Sequence, residues 1–74
     1  MPLTPLERKA AFAHAVTMHE TTKRDAADSL GLSWTHVELV LEGERRGSQE
    51  TMDAIAEYCG IPAVEFWGES PAPV

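Results

Sequence analysis

KRDAADSLGLSWTHVELVLEG, residues 23–43, holds two short helical patterns joined by a tight turn. Ala27 stands four residues before Gly31, and Val37 follows that glycine by six. Each of these positions has a steric reason. A methyl side chain at Ala27 lets one helix lie close against the next. Gly31 supplies the positive φ that ends the first helix without a Cβ penalty. Val37 and Val40 then fall on the buried side of the second helix, with Leu41 and His36 at its edges.

The spacing is that of a helix-turn-helix, whose second helix is presented outward for a DNA major groove. The flanking sequence extends the helical pattern in both directions. Thr4-Pro5-Leu6-Glu7 combines a capping threonine, a proline at the first helical position and a capping-box carboxylate. It predicts a first helix to about His19 that buries Leu6, Phe12, Ala13 and Val16. Thr22 caps a second helix over Lys23–Leu30, and Ser33 caps a third over Trp34–Glu42 that Gly43 ends. Ser48 caps a fourth with the stripe Met52, Ile55, Ala56 and Cys59, stopped at Gly60. Pro62 opens a last turn carrying Val64, Phe66 and Trp67. No period-2 strand pattern and no internal repeat appears. The expected fold is all-α: one compact five-helix domain over residues 1–68, followed by a disordered proline-rich tail over 69–74.

Composition limits the function classes. Seventy-four residues allow one small domain with a modest core. The single cysteine, Cys59, excludes an internal disulfide and a Cys-based metal cage, and its apolar stripe predicts a buried, inert thiol. No apolar run approaches a membrane span and no leader pattern is seen, so a cytoplasmic location without membrane contact is expected. Six Lys and Arg face twelve Asp and Glu, a formal net charge of −6, which works against nonspecific attraction to phosphates. The basic residues nevertheless come as adjacent pairs, Arg8-Lys9, Lys23-Arg24 and Arg45-Arg46. Two of the pairs bracket the helix-turn-helix.

Over Ala11–Gly68 the chain resembles the lambda-repressor-like, or XRE-type, DNA-binding domain. That family carries T-Q-x-x-L-A-x-x-L-G-[LV]-S before its recognition helix; here the matching stretch runs from Thr22 to Ser33. Val37 occupies a position usually held by Ile or Val, and Leu41-Glu42-Gly43-Glu44-Arg45 resembles the family's E-N-G-x-R. Ser48, Met52, Ile55, Ala56, Cys59, Gly60 and Ile61 resemble the fourth helix and its exit, and Val64-Glu65-Phe66-Trp67 the short fifth. The family's glutamine is Lys23 here, its asparagine is Glu42, and Leu39 takes a position that is often polar.

On the third helix the outward face is expected to carry Trp34, Thr35, Glu38, Leu39 and Glu42. Thr35 and Glu38 can hydrogen-bond base edges, while Trp34 and Leu39 can meet thymine methyls. Lys23, Arg24, Arg45, Arg46 and the Ser33 hydroxyl are the candidate phosphate contacts. The plainer alternatives are that Trp34 lies over a neighbouring helix and that Glu38 and Glu42 form a solvated acidic strip. His14 and His19, five apart, diverge by about 140° around a helix and cannot chelate together. Neither a phosphate-cradling glycine loop nor a paired-carboxylate cleft is present, so no enzyme, cofactor or metal is expected.

The resemblance implies a small phage- or prophage-type transcriptional regulator, a repressor by default, that binds operator DNA as a homodimer. The apolar group Ile61, Val64, Phe66 and Trp67 exceeds what one short helix needs, so Trp67 or Phe66 is expected to face a second subunit. The alternatives are an acidic protein-interaction module that keeps the fold without DNA binding, favoured by Glu38 and Glu42, and an antitoxin with a toxin partner.

Overall fold

Thr4 opens the first helix, α1 (Pro5–Met18), through a reciprocal capping box. Its hydroxyl accepts from the Glu7 amide at 3.2 Å, and the Glu7 carboxylate accepts from the Thr4 amide at 2.8 Å. In the computed structural model, which describes residues 2–68, four further helices follow: α2 (Lys23–Ser29), α3 (Trp34–Glu42), α4 (Gln49–Cys59) and α5 (Ala63–Trp67). No strand occurs among the described residues. Thr22, Ser33 and Ser48 cap α2, α3 and α4, each accepting from the amide three residues on. Each such cap stabilises its helix by about 1 kcal/mol. α5 has no side-chain cap hydrogen bond; Pro62, with its fixed φ, stands at the N-cap before Ala63. The residues expected to form a disordered tail lie outside those described.

Between α2 and α3 the chain turns in four residues. Gly31 adopts φ +77°, a conformation that a side chain would strain. The Leu32 amide reaches back to the Ala27 carbonyl at 2.9 Å, closing the end of α2. The core sits where α1 crosses α3 and α4, with α2 and α5 closing its sides. Phe12, Ala27, Val37, Leu41, Ile55 and Phe66 are fully buried in it, with Val40 and Ala56 nearly so. Burying a side chain of the Val, Leu or Phe size stabilises by about 1.5–3 kcal/mol, so these few residues dominate the fold's stability.

Several sequence expectations need correction. Leu6 is 77% exposed rather than buried, and Ala13 is only half-buried. The true inward face of α1 runs Arg8, Phe12, Ala15 and Val16. Leu6, two residues from Arg8, points about 200° away from it. Leu41 is in the core rather than at its edge. Phe66 is fully buried and Trp67 is tied down, its indole N–H donating to the Met52 carbonyl at 2.9 Å. Phe66 is therefore taken up in the core of this chain, and the half-buried Trp67 is bonded within it through its indole N–H.

Arg8 is the unexpected member of the interior. Its Nε donates to the Leu41 carbonyl at 2.8 Å and one terminal nitrogen to the Leu3 carbonyl at 2.9 Å. The first bond satisfies a carbonyl in the last turn of α3, where that helix has no basic residue of its own. Gly43 is demanded twice over: it holds φ +83°, and a Cβ there would come within 3.3 Å of the Arg8 guanidinium.

Candidate nucleic-acid interface

α3 is the element on which the outward-facing candidates converge. Ser33 keeps its side chain exposed at the helix start, where it accepts from the His36 amide at 3.2 Å. That bond uses the oxygen as acceptor and leaves the hydroxyl proton for another partner. Thr35 is exposed beside it, and Lys23 and Arg24 stand exposed at the start of α2. Lys23 comes to the same place as Trp34, its ammonium lying 5.5 Å from the indole centroid. Lys23 thus stands near the N-terminus of α3, the end at which the helix dipole is positive.

Trp34 itself does not stand outward. It is half-buried, with its ring stacked on Phe12 at 5.7 Å. Side chains in a helix lean toward its N-terminus, which carries the indole back onto α1 rather than into solvent. The ring thus lies over the neighbouring helix α1, with part of its surface still exposed.

Further along α3, Glu38, Leu39 and Glu42 are all half-exposed. Glu42 is engaged from the neighbouring helix: Lys9 of α1 donates to its carboxylate at 2.9 Å. This bond holds the Glu42 carboxyl below its ordinary range, helped by a hydrogen bond with Glu44, and it raises the Lys9 ammonium. Glu38 adds a weaker pull on Lys9. The acidic strip is thus partly neutralised from the neighbouring helix.

Arg45 and Arg46 are exposed in the loop after α3, and both line a cavity there together with Arg8. The nine residues of α3 span about 13 Å. Lys23 stands by the start of α3 and Arg45 and Arg46 in the loop after its end, with Glu38 and Glu42 on the helix itself. The structure does not gather the expected contacts into one continuous basic patch. Arg8 and Lys9 were the residues missed by sequence reasoning, and a signal for Arg8 existed. It lies in i, i+4 register with Phe12 and Val16, so a charge sits on the buried stripe.

Cys59 is half-buried, and burial pushes its thiol up to about 11, away from reactive thiolate chemistry. Among the described residues no group of His, Cys, Asp or Glu stands together in a way that could hold a metal ion. No helix among them is long and apolar enough to cross a membrane. No family model matches the chain, and neither a curated protein nor a solved structure matches it.

Proposed function

We propose that this protein is a small transcriptional regulator of the lambda-repressor-like kind, acting as a repressor by occupying operator DNA as a homodimer. The α2–α3 pair serves as its helix-turn-helix. The observation that carries this reading is the joint placement of Ala27, Gly31 and Val37. Ala27 and Val37 are fully buried and Gly31 is left-handed, so α3 is seated by its inner face and its outer face is exposed at Thr35. Lys23, Arg24 and Ser33 anchor phosphates at one end of α3, Arg45 and Arg46 at the other. Thr35, Glu38 and Leu39 read base edges between them, Glu38 by accepting from a cytosine amino group. A lone domain with so few cations gains useful affinity by pairing half-sites, and Val64, which stays 53% exposed, is the apolar surface of α5 available for that pairing.

The test is a salt-titrated gel shift against duplex DNA from immediately upstream of the chain's own gene. Retardation with a steep salt dependence supports the reading; no shift at low salt with any duplex sinks it.

A second reading is favoured by the net charge of −6 and by the acidic Glu38 and Glu42 along α3. In it, the same exposed face engages a basic protein partner, such as another regulator or a toxin. Failure of every duplex, together with capture of a defined basic partner, would select this alternative.

A further inference from the structure

Three of the chain's six basic residues, Arg8, Arg45 and Arg46, line one cavity of about 180 Å³ between the α3–α4 loop, α4 and α5. Its remaining wall is apolar, formed chiefly by Val40, Met52 and Trp67, and no carboxylate among the described residues lines it. Arg8 is the built part of the site. It is 9% exposed, and its guanidinium lies 5.2 Å from the centroid of the Trp67 ring. Its two hydrogen bonds go to neutral backbone carbonyls and account for two of the five N–H donors a guanidinium carries. Burial shifts its titration downward. A buried charge held by neutral backbone dipoles, with no carboxylate paired to it among the described residues, is an unusual arrangement in a protein interior.

We propose that this cavity is a binding site for a small phosphate monoester, whose phosphoryl oxygens sit among Arg8, Arg45 and Arg46 and whose organic part lies on Trp67 and Met52. Guanidinium forks match the geometry of phosphoryl oxygens, and their bonds to an oxyanion are charge-assisted. The apolar wall distinguishes an ester from inorganic phosphate, since only the ester has a body to place against it. Arg45 and Arg46 also belong to the proposed DNA contacts, so an occupied cavity would compete with operator binding. The site itself does not depend on the DNA reading, because free ligand can be tested with no duplex present.

The experiment follows the two indole N–H signals of the intact protein by NMR during titration with phenyl phosphate, inorganic phosphate, or a short duplex, with sodium chloride matching ionic strength. Trp67 reports on the cavity through the indole that bonds Met52, and Trp34, packed on Phe12, serves as the internal control. Phenyl phosphate is expected to move Trp67 saturably and Trp34 little, with inorganic phosphate binding more weakly. Arg45→Gln and Arg46→Gln, both at exposed positions, should each weaken that binding by about tenfold or more. A Trp67 response to duplex but to neither free ligand would assign the cavity to a DNA backbone phosphate and overturn the proposal. Equal affinity for the two free ligands, no saturable response, or a response unchanged in Arg45→Gln would overturn it as well.

Discussion

Arg8 Nε donates to the Leu41 carbonyl oxygen at 2.8 Å, joining the first turn of α1 to the last turn of α3 across 33 positions of sequence. The same guanidinium reaches the Leu3 carbonyl, so one side chain fixes three segments. A lysine offers its donors from a single point and cannot span both carbonyls. Arg8→Lys is therefore expected to leave one carbonyl without its partner and to destabilise the domain by about 1–3 kcal/mol. Urea denaturation measures this directly. An unchanged midpoint would show that neither carbonyl depends on the guanidinium fork.

Ala27 has no exposed surface and sits in the core with Val37 and Val40. Three added heavy atoms have no space to enter there. Ala27→Leu should force α2 away from α3 and cost about 1–3 kcal/mol, read as a fall in thermal midpoint. A variant as stable as the parent would mean that the α2–α3 junction is loosely packed.

These two residues mark how far the sequence could be read. Ala27 was legible because its neighbours in sequence, Gly31 and Ser33, punctuate the chain locally, and the bounds of α3 follow from Ser33 and Gly43 for the same reason. Arg8 was obscured by its type. A charged residue in a basic pair reads as a solvated surface, and only the three-dimensional meeting of α1 with α3 shows it inside. The pairing of Lys9 with Glu42 was hidden likewise, because it too spans 33 positions. Trp34 was ambiguous at the level of periodicity: its backbone position is peripheral, and its ring reaches the core only because of the direction in which it leans. At α5 the apolar residues were legible but their destination was not, since burying Phe66 depends on how α5 closes over α1 and α4.

Tyr58 packs its ring on Phe12 at 5.3 Å and on His19 at 4.6 Å, yet its hydroxyl is buried with no hydrogen-bond partner among the described residues. Burial also pushes that hydroxyl's titration upward. A buried polar group without a partner carries a desolvation cost of about 1–3 kcal/mol. Tyr58→Phe keeps both ring contacts and removes the cost, so it should leave stability unchanged or raise it by up to about that amount. A clear loss of stability in denaturant titration would reveal a partner for the hydroxyl, such as a bound water.

The Lys9–Glu42 pair predicts a pH dependence with a definite sign at each end. Glu42 is held below its ordinary carboxyl range, first by its hydrogen bond to Lys9. Its contribution to stability is therefore present above the unfolded carboxyl value and is lost as pH falls through the lowered one. Lys9 is raised, first by its hydrogen bond to Glu42, so its contribution is present below the unfolded amine value and is lost as pH rises through the raised one. Both side chains are substantially exposed, so the effect is small. The urea midpoint of wild type minus that of Lys9→Met should be positive near neutral pH and shrink toward both extremes. A difference that stays flat with pH would mean that the two side chains do not interact in solution.

The same pair supplies a charge cycle that tests whether α3 meets DNA. In the parent protein the two charges cancel locally, so a nearby duplex meets little net field from them. Glu42→Gln removes the carboxylate and leaves Lys9 unmatched, whereas Lys9→Gln leaves Glu42 unmatched. The double variant restores local neutrality. If α3 lies along a duplex, Glu42→Gln should bind more tightly than the parent, Lys9→Gln more weakly, and the double variant about equally. Should Lys9 then take up a phosphate, the slope of log affinity against log salt in Glu42→Gln should steepen by about 0.9. A basic protein partner on this face would produce the opposite order for the single variants, since it is attracted by the carboxylate. The cycle thus separates the two functional readings by sign. Four proteins of equal DNA affinity would place this pair, and with it the far end of α3, outside any nucleic-acid interface.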